Sequence, residues 1–140
     1  SGLFPMHSAR RHDVNVGLGT DIGGGTSFSL LRTLDEAYKV LQLRGEHLSP
    51  LQAFYLATLG GAETLDLADT LGNFTPGKEA DFVIMDLACT PLLAYRLAQC
   101  NDLSEMLFAL STLGDDRAIR QTWSGGRCVH DRDCGTVPHP

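Results

Sequence analysis

Apolar and polar positions along the chain fall into distinct periods. "VNVGLG" (14–19) alternates apolar with small or polar residues and then meets glycine, which predicts a short strand. From Leu30 the apolar residues recur at three- and four-residue spacing, through Leu31, Leu34, Ala37, Tyr38 and Leu41, until Gly45 stops the run. This spacing predicts an amphipathic helix, capped by Thr26 or Ser27. Strand, glycine-rich turn and helix together predict one βα unit. Ser49-Pro50 opens a second helix, with serine as the cap and proline at the first helical position. Leu51, Phe54, Tyr55 and Thr58 carry it, and Gly60-Gly61 is expected to break or bend it, a short second piece running to Leu67.

The pattern then changes character. Pro76-Gly77 predicts a turn, and "ADFVIMD" (80–86), an apolar run bounded by aspartates, predicts a buried strand. "TPLLAYRLAQCND" (90–102) has no decisive period and reads as loop with a helical turn. "DLSEMLFALSTL" (102–113) predicts a helix capped by Asp102. "IRQTWSGGRCVHD" (119–131) predicts two short strands joined at Ser124-Gly125-Gly126, and "RDCGTVPHP" (132–140) a disordered tail. One βα unit beside β segments without a partner sheet does not complete a fold, because parallel strands need neighbours and cover. The order predicts the end of a larger α/β protein, and a first residue other than Met agrees with a chain that begins in the middle of something.

Composition narrows the function classes. With 140 residues, 43% of them apolar and 20% charged, the chain reads as one soluble globular domain with a core. A net charge of −6 and the lack of any Lys/Arg run argue against a nucleic-acid backbone as partner, though not against a single free base. No apolar stretch approaches the ~20 residues of a membrane span, and the first residues have no signal-peptide pattern. Cys89, Cys100, Cys128 and Cys134 form no C-x-x-C pair and are expected to be reduced thiols of a cytosolic protein. His7, His12, His47, His130 and His139 form neither H-x-H nor H-E-x-x-H, so a zinc site built wholly from this chain is not expected.

The candidate chemistry lies in "GLGTDIGGGTSFSLL" (17–31), where five glycines surround one carboxylate, Asp21. A dinucleotide fingerprint fails because Ile22 stands where glycine is required, and no Gly-Lys-Ser/Thr completes a P-loop. "TDIGGGTS" resembles the phosphate-binding hairpin of sugar kinases, but that turn leads into a strand, whereas the Leu30–Leu41 periodicity leads into a helix. Two readings of Asp21 stay open on the residues alone. It is a carboxylate at the carboxyl end of a barrel strand, where catalytic groups of (β/α)8 enzymes sit, or it caps the following helix.

The stretch from "VGLGTDIGGGTSFSLLRTLDEAYK" through "AFYLATLGGAETLDL" to "GNFTPGKEADFVIMD", with "TLGDDR" later, resembles the C-terminal third of the guanine deaminases, a family of the amidohydrolase superfamily. The resemblance runs from about Ser1 to Asp131. It implies an α/β fold: the C-terminal part of a (β/α)8 metal-dependent hydrolase barrel plus strands of a small composite β domain. On that mapping residues 1–70 are the last part of the barrel, with 27–44 its eighth helix. Residues 71–131 are strands of the small domain with an intervening helix, and 132–140 is the tail. The resemblance further implies one Zn2+ per complete site, with Asp21 as ligand and as acceptor of the proton of the attacking water. The histidine ligands and the acid/base glutamate are implied to lie upstream of Ser1. It implies hydrolytic deamination of guanine, as the free base with water, to xanthine and ammonia in purine catabolism, by a cytoplasmic homodimer with neither nucleic acid nor membrane as partner. Alternatives are a cytosine- or triazine-type amidohydrolase, or a non-catalytic association fragment. His7, His12 and His130 are expected on the surface or in packing, and Trp123 in the small β domain. "GDDR" (114–117) is expected as a helix-ending turn rather than a subunit contact, and Thr26 and Ser27 as caps rather than substrate contacts.

Overall fold

The computed structural model describes residues 2–134. Its helices are α1 (Met6–Arg11), α2 (Leu30–Leu43), α3 (Pro50–Leu56), α4 (Leu59–Thr64), α5 (Pro91–Leu97) and α6 (Leu103–Leu113), with a 3-10 turn over Asp116–Ala118. Its strands are β1 (Phe82–Met85), β2 (Ile119–Ser124) and β3 (Arg127–Asp131), and they form one antiparallel sheet in the order β1-β2-β3.

Helix α2 forms where the period demanded it, and buries Leu31, Leu34 and Leu41 on one side. Asp35 is buried on the same helix, and Lys39 Nζ, one turn on, pairs with it at 2.6 Å. The cap differs from expectation. Ser29, not Thr26 or Ser27, is the N-cap residue, and Ser27 acts one step earlier, its Oγ accepting the Ser29 N–H at 3.0 Å. Helix α3 begins as predicted. Ser49 and Gln52 form a reciprocal capping box ahead of a proline in the first turn, satisfying two backbone donors that a helix start leaves open. The break after it falls at Ala57-Thr58 rather than at Gly60-Gly61, and both glycines lie inside α4, which ends at Thr64. Close packing explains their presence there. A Cβ on Gly60 would stand 2.9 Å from the Tyr55 ring, and one on Gly17 would stand 2.8 Å from the Gly61 Cα.

The strand expected over 14–19 does not form. A strand requires a ladder partner, and among the described residues this segment has a single backbone hydrogen bond across the fold, from Leu18 N–H to Leu56 O at 3.0 Å. Its Val16 and Leu18 pack on a core of Met6, Leu31, Leu34, Leu41, Leu48, Ala53, Leu56 and Ala118. This core joins α1, α2, α3 and the approach to β2.

The second half closes on α6, which Asp102 caps through its Oδ1 to the Glu105 N–H at 2.9 Å. Residues 91–97 form a full helix where only a turn was expected. Thr90-Pro91 repeats the logic of Ser49-Pro50, the Thr90 side chain accepting from the Leu93 N–H, and Leu93 is completely buried. Within 80–86 the strand spans Phe82–Met85, but it is not buried: Val83 is 44% exposed, and among the described residues β1 is an edge strand, paired with β2 alone. The β2–β3 hairpin turns at Gly125 and Gly126, both at positive φ (+54° and +73°), as a two-residue turn of the tightest kind requires. Phe82 lies opposite Trp123 in register and stacks on it, centroids 5.5 Å apart and planes 9° from parallel.

Of the tail expected over 132–140, Arg132–Cys134 continue β3 as a turn, and 135–140 lie outside the described residues. Arg132 fastens the sheet. Its guanidinium donates to Asp86 Oδ2 and to Arg117 O, both at 2.7 Å. Cys89, Cys100, Cys128 and Cys134 are free thiols, and no described helix is long and apolar enough to cross a membrane.

Candidate functional site

The segment that leaves Leu18 reaches Asp21 in the left-handed backbone region, φ +46°, which aspartate tolerates better than most residues. The chain reverses there. Gly24 N–H donates to Asp21 O at 3.0 Å, Gly25 N–H donates to the same oxygen, and Gly23 takes φ +112°. Two of the glycines matter for the space they leave rather than for their conformation. A Cβ on Gly25 would lie 1.9 Å from Thr20 O, and one on Gly24 would lie 2.7 Å from Asp21 Oδ2. The carboxylate therefore folds back over its own turn, resting against Gly24.

Asp21 is not the helix cap. Ser29 holds that position, eight residues on, and the ion pairs at the start of α2 use Arg32, Asp35, Glu36 and Lys39. The Asp21 side chain stays exposed beside a cleft of about 510 Å³ lined by Thr20, Gly25, Thr26, Ser27, Arg32, Thr33 and Glu36. Thr26 and Ser27 thus face this cleft instead of capping α2. Arg32, Thr33 and Glu36 line it as well and were not singled out in the sequence. Their signal was present, since the first turns of a helix that follows such a loop project onto the loop's own cleft.

The other candidates sit apart from the cleft. His12 Nδ1 hydrogen-bonds with Ser8 O at 2.8 Å, His7 belongs to α1 and His130 to β3. Residues 114–117 are a helix-ending turn. Gly114 closes α6, and Asp115 caps the 3-10 turn by accepting from Arg117 N–H while pairing with Arg117 Nη2 at 2.6 Å. The hydrogen bond from the Arg117 guanidinium, above all, holds the Asp115 carboxyl below the usual carboxylate range.

A zinc centre needs at least three protein ligands. Among the described residues no three His, Cys, Asp or Glu side chains come together. Asp21 fits the part of one such ligand: an exposed carboxylate lying against Gly24, next in sequence to Thr20 of the cleft lining.

Residues 1–129 match the model of the amidohydrolase family. The chain belongs to that family. This amidohydrolase is 56% identical over 133 residues to the guanine deaminase of Escherichia coli K12, a match covering 95% of the chain and 30% of that protein. Among solved structures, E. coli guanine deaminase superposes with a TM-score of 0.90 over 94% of the chain and 31% of the other. The guanine deaminase of C. acetobutylicum with bound guanine in the active site gives 0.72 at 29% identity, over 91% and 30% respectively. The amidohydrolase chain thus spans about 30% of the length of these relatives.

Proposed function

We propose that this chain is the C-terminal part of a zinc-dependent guanine deaminase that hydrolyses guanine to xanthine and ammonia. The observation that supports it most directly is the likeness to E. coli guanine deaminase, 56% identical with a TM-score of 0.90 over nearly the whole chain. On this reading residues 1–70 complete a (β/α)8 barrel, the segment 14–19 being its last strand once neighbours pair with it. Residues 71–131 then supply β1, β2 and β3 to a small β domain. Free guanine and water are the reactants, and the complete enzyme is a cytoplasmic homodimer.

In the reaction a water oxygen bonds to the ring carbon bearing the exocyclic amine, that carbon–nitrogen bond breaks, and the amine leaves as ammonia with a proton that the water has given up. Zinc, when bound, supplies the acidity that brings the pKa of its water down to about 7. Asp21 would be one of its ligands, and its free carboxylate oxygen would take the proton that water loses. The turn at Gly23–Gly25 leaves the space beside Gly24 in which that carboxylate lies. The cleft over Thr20, Thr26 and Ser27 leaves hydroxyl groups at its rim.

The test is a substrate panel on the complete enzyme containing this chain: guanine, adenine, cytosine and a melamine-type ring. Equal yields of xanthine and ammonia from guanine are expected. Turnover of another ring with guanine inert would place the chain in a different branch of the family, and inertness toward all of them would favour an association role.

A further inference from the structure

We propose that Gly24 is a positioning residue for Asp21: the missing Cβ leaves the space in which the carboxylate lies, and so permits the direction that any side chain at position 24 would close off. This rests on the reading of Asp21 as a zinc ligand. The glycines of the turn are absent side chains for different reasons. At Gly23 the backbone itself, at φ +112°, excludes other residues, and at Gly25 a Cβ would run into Thr20 O at 1.9 Å, a backbone atom that cannot yield. Gly24 is different. Its φ lies outside the left-handed region, and the nearest obstacle to a Cβ is Asp21 Oδ2 at 2.7 Å, followed by Asp21 Cγ at 3.5 Å and Asp21 O at 3.7 Å. A methyl group there meets the free end of one flexible side chain and has ordinary contact with everything else. The turn accommodates alanine, and the carboxylate has to swing away to make room. A metal ligand turned from its direction loses affinity even though it is still present.

The experiment compares wild type, Gly24→Ala and Asp21→Asn in the complete enzyme. Zinc affinity, the visible spectrum of the cobalt-substituted protein and the melting of the metal-free protein are measured, with kcat and KM for guanine beside them. Gly24→Ala is expected to weaken zinc about tenfold and to alter the cobalt bands, which report ligand geometry. It should lower kcat with little change in KM, and melt within about 3 °C of wild type without metal. An unchanged affinity and spectrum in Gly24→Ala, with both altered in Asp21→Asn, would overturn this inference and leave the ligand reading standing. Unchanged metal properties in Asp21→Asn would overturn the ligand reading and this inference with it. A metal-free Gly24→Ala protein melting far below wild type would show that the turn does not accommodate the methyl group, and would equally overturn it.

Discussion

Asp21 sits in a left-handed backbone conformation that asparagine adopts as readily as aspartate, so the amide removes the charge without disturbing the turn. In the complete enzyme Asp21→Asn is expected to abolish ammonia release from guanine while circular dichroism and metal-free melting stay at wild-type values. Losing both the ligand oxygen and the proton acceptor should raise the barrier by several kcal/mol, each ~1.4 kcal/mol being a factor of ten in rate. Near-normal turnover in a zinc-loaded Asn protein would remove Asp21 from the site. Asp21→Ala is a poorer probe, because it adds about 1 kcal/mol of backbone strain to the chemical loss. As a candidate, Asp21 was legible in the sequence, since five glycines around one carboxylate announce a backbone brought close to something. Which glycine faces the carboxylate was not legible, because that depends on how the turn folds back. Nor did spacing alone reject the helix-cap reading. That took the position of Ser29.

Helices were the legible elements wherever a cap and a period coincided. Ser49→Ala removes the capping box of α3 and should cost about 1 kcal/mol, measurable by denaturant unfolding. Helix α5 escaped notice because it is short, and its one completely buried side chain, Leu93, sets no period. Leu93→Ala should destabilise by about 2–5 kcal/mol, the cost of a cavity between α5 and its neighbour α6. The segment 14–19 misled in the opposite sense. Alternation describes a strand's faces, but pairing is supplied by partners that periodicity does not contain. The sheet carries a pH dependence of its own. Asp86 is held below the usual carboxylate range first by the Arg132 hydrogen bond and then by the Ala88 N–H, and Asp131 first by the Asp133 N–H and then by Gln121. With folded values below the unfolded ones, both groups contribute stability above about pH 4, and lose it as pH falls through the folded values. Melting midpoints should therefore hold at neutral pH and decline in acid. Arg132→Gln should make that decline shallower, and an acid profile identical to wild type would mean that the Asp86–Arg132 pair is not formed in solution.

At the scale of the molecule, the chain by itself should neither retain zinc after dialysis nor release ammonia from guanine. It offers one fitting ligand, and the described residues leave large apolar side chains in water: Phe28 is 83% exposed, Phe74 81% and Leu43 78%. Stoichiometric zinc with turnover in the purified 140-residue chain would show a site assembled by another route. Membership of the amidohydrolase family was nonetheless legible at this scale, through the resemblance carried by the stretches around Asp21 and Asp86 and not through the order of elements. The apolar groove over Phe28, Leu30, Phe54, Phe82 and Met85 is lined by Trp123 as well. That residue is the chain's one tryptophan, its indole stacked on Phe82 and donating Nε1–H to Gln121 Oε1 at 3.1 Å. Its emission is consequently an optical gauge of that groove. A wet groove leaves the indole in a polar setting and its fluorescence to the red, whereas a segment that covers Phe28 shifts it to the blue and shields it from soluble quenchers. Covering of that groove by an added segment free of tryptophan can thus be followed in a cuvette, with no label added.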